Sequence, residues 1–268
     1  IRNLDELGYE ELAELTGQSS ALFIGDGFPF NATLSLRGLN VDSLVKELIH
    51  ILHTKKLCLK THRMDAHLRV ILANLIKGEE VYQHRYPYYS RTPSKYKYIK
   101  RYNPQNISFR PLIGCLDALD KTGFIKNYKG FFKRQYNEGK QTRMVIKKNL
   151  FDLLNKYKVN KDYLFKIPID PIRLKDVNGR LTDYKDTNAT IKKRKTIEKH
   201  NKLLAKSNIE LTKRLDTGPS RIVDFSNNSY HRIFSQNSFS LHGRFYGPWW
   251  QSLKSEERKH LKINGESV

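Results

Sequence analysis

What this chain lacks narrows its reading before anything it contains. Its 268 residues hold two cysteines, two tryptophans and two methionines. Two thiols do not make a disulfide framework, and Cys58 and Cys115 sit in the apolar settings LCL and GCLDAL, which predict buried free thiols. No apolar run reaches even half of the roughly 20 residues a spanning helix needs, so an integral membrane protein is not expected. The opening IRNLDELGYEELAEL is acidic and amphipathic, where a secretory signal starts basic and turns apolar, so the expected compartment is the cytoplasm. Acidic residues are also scarce. There are 27 Asp and Glu against 49 Lys and Arg, giving a net charge of +22 and a pI near 9.9. That exceeds what solubility asks for and points to a polyanion, with nucleic acid the expected partner and DNA favoured over RNA.

Complete catalytic sets are missing as well. His50 and His53 lie three apart on a helical segment with no cysteine or carboxylate to finish a zinc site. GDGF at residues 25–28 lacks the lysine and helix of a phosphate-binding loop and reads as a turn. Asp117 and Asp120 share a helical face where surface ion pairs are the ordinary role. No nucleophile has a visible base, so no catalytic residue is assigned, and no cofactor is expected unless a catalytic domain follows and brings Mg2+.

What is present is unevenly distributed. Residues 1–60 carry 6 basic and 8 acidic residues, so nearly all the positive excess lies beyond them. This first segment is a candidate for meeting a protein partner. Within it, Leu4, Leu7, Leu12 and Leu15 predict a short helix, residues 19–40 a loop or short strands, and NVDSLVKELIHILHTKKLCL a second helix with Asp42 as its N-cap. Residues 61–160 read most clearly. Leu68, Ile71, Leu72 and Leu75 mark a core helix ending near Gly78. After a tyrosine-rich connection, Leu112, Ile113, Leu116 and Leu119 mark a second helix, N-capped by Ser108, with Pro111 in its first turn and Gly123 at its stop. FIKNYKGFFKRQYNEGKQTRMVIKK then gives two strand-like runs around NEGKQ, a hairpin pattern, and NLFDLLNKYKV closes the domain as a helix.

This order of helix, connection, helix and basic hairpin resembles the winged helix-turn-helix of bacterial and plasmid replication and regulatory proteins. The expected fold is therefore α+β and mainly helical: a central winged helix-turn-helix over 61–160 with helical or irregular flanks. A basic linker is expected over 161–200 and an aromatic-rich segment over 201–268. The likeness places Asn106, Ser108, Phe109 and Arg110 at a reading head, where helix N-terminal residues meet bases and phosphates. Lys133, Arg134, Lys140 and Arg143 would form the wing on the DNA backbone.

Two further tracts suit nucleic acid. In HRYPYYSRTPSKYKYIKRY, Tyr82, Tyr86, Tyr88, Tyr89, Tyr96, Tyr98 and Tyr102 alternate with Arg85, Arg91, Lys95, Lys97, Lys100 and Arg101, a mixture suited to stacking beside phosphate neutralisation, although about half of such tyrosines are expected to pack inward. The run IKKRKTIEKHNKLLAKSNIEL predicts a mostly solvated basic helix whose residues 192 to 199 can meet phosphates.

At the end of the chain, GRFYG, then WWQSL, then Arg258 and a short strand resembles the approach to the first catalytic carboxylate motif of family A DNA polymerases, and a similar run occurs in proteins of bacterial mobile elements and phages. The likeness spans some 25 residues, and Phe245, Tyr246, Trp249 and Trp250 stand where that family has smaller side chains. It implies that Arg244 and Gln251 contact primer-template, with Arg258 following. It also implies that the metal-binding aspartates belong to a strand beyond Val268. A structural knot of Trp249, Trp250, Tyr246 and Phe245 is the competing expectation. Function is therefore expected among three classes: a DNA-binding protein of replication or a mobile element, part of a family A-like nucleotidyltransferase, or a scaffold for protein or RNA.

Overall fold

The computed structural model describes residues 27–57, 63–82, 85–97, 99–133, 135, 138–213, 215 and 223–267. These fall into two compact units. The first takes residues up to Tyr98 together with Asn103–Pro168, and the second takes Ile99–Tyr102 with Ile169–Val268.

The first unit is built around α2 (Met64–Ile76), whose residues are buried on nearly every side, as a helix apolar all round must be. Against it packs α1 (Leu39–Thr54), which buries Val41, Leu44, Val45, Leu48 and Leu52 at helical spacing. Arg69 and Asn74, two of the polar residues on α2, find partners within the unit. Arg69 donates to Asp42 at 2.7 Å and Asp65 at 2.8 Å. Asn74, fully buried, accepts from the Asn31 N–H at 2.8 Å and donates to the Asn31 and Val70 carbonyls. Asp42 thus lies inside the first turn as an ion-pair partner, and the N-cap position falls to Gly38. α2 ends at Ile76 and passes into a π-helical turn, Lys77–Val81. Gly78 is needed there, because a Cβ would stand 2.2 Å from the Arg85 carbonyl oxygen.

A four-stranded sheet flanks these helices in the order β1 (Gly27–Pro29), β3 (Tyr86–Tyr89), β7 (Thr142–Ile146), β4 (Ile125–Tyr128). The β1–β3 pair is parallel, and the others are antiparallel. Helix α3 (Phe109–Lys121) precedes β4 and stops where expected, with Gly123 at φ +74°. The β4–β7 hairpin is prolonged by β5 (Phe131–Lys133) and β6 (Glu138–Lys140), so three residues of the expected NEGKQ turn are strand instead. Gly130 marks the join, since a Cβ there would meet the Lys140 carbonyl oxygen at 2.2 Å. β2 (Leu34–Leu36) pairs with β8 (Leu164–Lys166), and α4 (Lys148–Lys156) seals the core through Leu150, Leu153 and Leu154. Cys115 is a fully buried free thiol whose pKa burial pushes up to about 12, whereas Cys58 and the predicted helix over 3–16 lie outside the described residues.

In the second unit, β10 (Leu181–Thr182), β9 (Ile172–Lys175), β12 (His231–Ser235) and β13 (Ser238–Tyr246) form a sheet in that order. β9 and β12 run parallel, so the chain between them must cross over, and it does so through α5 (Asn188–Leu204). Ile197 of α5 packs with Ile172, Leu174 and Phe234. Thr187 caps the helix reciprocally with Thr190. The helix ends earlier than its apolar pattern implies, and Ile209–Leu211 is strand β11, paired with β14 (Leu261–Ile263), which continues into β15 (Glu266–Ser267). Trp249 is buried with Val223, Leu253 and Leu261. The α+β class holds. The expected linker over 161–200 instead carries four paired or helical elements, β8 to β10 and α5, and residues 27–57 belong with the first unit. Among the described residues, no helix is long and apolar enough to cross a membrane.

Candidate nucleic-acid interface

The start of α3 is held by a histidine. Ser108 occupies the N-cap position with extended backbone, but its hydroxyl makes no cap bond. Its backbone N–H donates instead to Nε2 of His67 at 3.1 Å. Because that nitrogen accepts, Nδ1 carries the proton, which it gives to the Arg63 carbonyl. Burial, at 3% exposure, pushes the His67 pKa below its ordinary value and keeps the ring neutral. The imidazole thereby pins the first turn of α2 to the entry of α3. Beside it opens a cleft of about 250 Å³ lined by Arg63, Ala66, His67, Gln105, Asn106 and Ser108.

Of the expected reading head, Asn106 and Arg110 are exposed. Ser108 and Phe109 are half-buried, the phenyl ring lying 5.7 Å from that of Tyr96. The outward stripe of α3 carries Arg110, Asp117 and Lys121, and Asp117 is engaged by Arg91 through two bonds of 2.8 Å. Arg91 therefore braces α3, while Lys95 and Lys97 stand exposed. Among the six described tyrosines of the aromatic tract none is exposed. Tyr86, Tyr89 and Tyr96 are buried, and Tyr102 bonds the Leu174 N–H. The tract packs more completely than its alternation predicts.

The wing divides. Arg143 lies within β7 at 8% exposure with its guanidinium 5.6 Å from the Tyr88 ring centroid, so it supports the sheet and is withheld from a DNA strand, contrary to expectation. Lys140 ends β6 half-buried, Lys133 ends β5, and Arg134 lies outside the described residues.

In the second unit an arginine–aspartate cluster absorbs charge. Asp170 accepts from Arg101 at 2.8 Å, from Arg194 at 2.9 and 3.1 Å, from the Ile172 N–H at 2.9 Å and from the Tyr184 hydroxyl at 3.1 Å. Arg101 also meets Asp183, and Arg194 meets Asp186. Burial alone raises the Asp170 pKa, but the bonds from Arg194, Ile172 and Arg101 outweigh it and hold the carboxyl below its usual value. Nothing in the linear sequence joins Arg101 to residues some seventy positions later, which is why this cluster escaped sequence reasoning.

The polymerase-like residues are placed as follows. Arg244 is exposed on β13, in register with Ile233, which in turn is in register with Arg173 of β9. The Gln251 amide closes a turn, accepting from the Gly247 N–H at 2.9 Å and donating to the Phe245 carbonyl at 3.1 Å. Arg258 is exposed and donates to the Leu253 carbonyl. The expected aromatic knot forms from the tryptophans, with Trp250 donating to Tyr230, while Phe245 and Tyr246 remain 48% and 41% exposed.

Comparisons of the chain with family models, curated proteins and solved structures give no match. The interface therefore rests on geometry.

Helix α5 of the second unit carries a further cationic face. Six basic residues stand on it against one acidic residue, Glu198. Thr190 and Ile197 form its buried pole, and Arg194 turns to the aspartate cluster. Lys192, Lys195, Lys199 and Lys202 are all exposed, and none has a carboxylate within ion-pair distance among the described residues. A shallow groove of about 420 Å³ runs along Lys192, Lys195 and Lys199, bounded also by Asn188, Ile191 and Thr196.

Proposed function

We propose that the protein binds nucleic acid, DNA in particular, through exposed lysines and arginines on both units, in a replication or mobile-element role. One observation carries this reading: the aspartates that form ion pairs are taken up by arginines, while the lysines on the outward face of α5 have no carboxylate within ion-pair distance among the described residues. Asp42, Asp65, Asp117, Asp170, Asp183 and Asp186 are all committed to Arg69, Arg91, Arg101 or Arg194. A surface with its lysines left unmatched attracts a polyanion and releases counterions from it.

The first unit supports a winged-helix reading by its connectivity. Helix α2, strand β3, helix α3 and the β4–β7 hairpin follow in the order such domains use, and β3 pairs with the strand returning from the hairpin. In place of a second helix it has two short 3-10 turns, Pro93–Tyr96 and Lys100–Tyr102. With Arg91 and Arg143 engaged, contact falls to Arg110, Lys95 and Lys97, residues suited to phosphates more than to base edges.

The test is binding to a labelled 20-bp duplex across a salt series, with the intact chain and a Lys95→Ala, Lys97→Ala, Arg110→Ala variant. Three lost phosphate contacts flatten the slope of log K against log salt by about 2.7. Salt-insensitive or absent binding by the intact chain refutes the reading and leaves a scaffold for protein or RNA. A second reading, part of a family A-like nucleotidyltransferase, is favoured by the β14–β15 hairpin that follows directly on Arg258. It requires primer-template to bind more tightly than blunt duplex, and Arg244→Ala to remove that preference.

A further inference from the structure

We infer that the outward face of α5 is a track for the phosphate backbone of duplex DNA, a second grip independent of the first unit. The inference rests on the nucleic-acid reading above and assigns it a surface. At about 100° per residue, Lys192, Lys195, Lys199 and Lys202 fall within an arc of roughly 80° diametrically opposite the buried pole at Thr190 and Ile197. Spacings of three, four and three residues keep them in file, and Glu198 falls outside the arc. The single acid of the helix flanks the ridge on one side, about 40° from Lys202, and forms no ion pair with it.

Folding gives no reason for such a file. Lysines three and four apart on a helix repel one another, and Glu198 makes no ion pair that would offset them. The nearby acids that might have done so, Asp170 and Asp186, are held by Arg194 on another side of the helix. A polyanion removes the repulsion. The dimensions are compatible: ten residues rise about 15 Å, enough to reach a few phosphates of one strand where its backbone crosses the helix. Asn188 and Thr196 line the groove beside the file and offer neutral polar groups to phosphate oxygens. An anionic membrane is the less suitable occupant, because the exposed apolar residues of the helix, Ile191 and Leu203, stand at opposite ends and form no continuous strip to insert.

The test compares the full chain with a Lys195→Gln, Lys199→Gln, Lys202→Gln variant, which keeps side-chain length and helix propensity, and with a Lys46→Gln, Lys55→Gln, Lys148→Gln control that removes equal charge from exposed sites of the first unit. Binding to a 20-bp duplex is read across a salt series, and binding to phosphatidylserine vesicles in parallel. The α5 variant is expected to lose about ten-fold or more in affinity at 50 mM salt and to flatten the salt slope by about 2.7, with the control close to the intact chain. Equal losses in both variants reduce the effect to net charge and overturn the track, as does an unaltered α5 variant. A variant that loses vesicle binding while keeping duplex binding overturns it in favour of a membrane. If the intact chain fails to bind DNA at all, the broader nucleic-acid reading falls instead.

Discussion

Replacing Asp170 by Asn isolates the cluster that organises the second unit. The carboxylate is 9% exposed and receives five hydrogen bonds, three of them from two guanidinium groups. An amide of the same shape turns one acceptor into a donor aimed at donors, and it removes the charge that Arg101 and Arg194 share. Breaking a buried ion pair by deleting one partner costs about 3–5 kcal/mol. Here Asp183 and Asp186 remain beside the arginines, which are themselves 19% exposed, so the expected loss is about 2–3 kcal/mol. Both tryptophans of the chain, Trp249 and Trp250, lie in this unit, so their emission reports its unfolding separately from the first. With a urea dependence of about 1–3 kcal/mol per molar, the fluorescence midpoint should fall by roughly 0.7–3 M. Because the folded pKa of Asp170 is depressed, its contribution is present above the ordinary value of 3.8 and is lost as pH falls through the lower folded value. The gap between intact chain and variant should therefore close at strongly acid pH. A midpoint unchanged at pH 7 would refute the cluster as a stabilising element.

Other positions test the first unit. Gly78→Ala places a methyl group 2.2 Å from the Arg85 carbonyl oxygen and should destabilise that unit by about 1–3 kcal/mol, read as an earlier far-UV circular dichroism transition with the tryptophan transition unmoved. His67 has a depressed folded pKa, so the unfolded chain takes up a proton that the folded chain refuses as pH drops below 6.5. Stability of the first unit should decline from pH 7.5 to 5.5 by an amount that His67→Gln abolishes, and a decline of equal size in the variant would exclude the imidazole as its source.

Much of the first unit was legible because its helices announce themselves locally. The 3.6-residue periodicity of α1, α2, α3 and α4, the glycine stop at Gly123 and the paired runs of the hairpin are all short-range signals. The failures share one cause, which is that side-chain commitment is set by partners distant in sequence. Arg143 and Lys140 read alike in a basic hairpin, but the pairing of β7 between β3 and β4 buries the first and leaves the second nearer the hairpin's end. Asp42 reads as a cap until Arg69 of α2 claims it. The tyrosine tract reads as a stacking surface until β3 joins the central sheet and draws Tyr86 and Tyr89 inward. In 161–200, prolines and glycine mark turns, but the strands between them are only two to four residues long and depend on distant partners: β9 pairs with β12, some sixty residues onward, and β8 with β2, some 130 residues before.

Net charge computed from composition treats arginine and lysine as equals, and the fold does not. Arg69, Arg91, Arg101 and Arg194 each bond two or more acceptors, which a planar fork of donors does well, while the lysines of α5 stand alone as hydrated point charges. Swaps that conserve charge should therefore separate folding from binding. Arg194→Lys leaves the chain at +22 but cannot reproduce the paired bonds to Asp170 and Asp186, so it should lower the tryptophan-detected urea midpoint while the salt slope of DNA binding is retained. Lys195→Arg together with Lys199→Arg keeps the same charge on the exposed face, and should leave both the midpoint and the slope near those of the intact chain. If instead Arg194→Lys is silent in stability and changes binding, the guanidinium is serving DNA, and the division of labour between the two residue types is wrong.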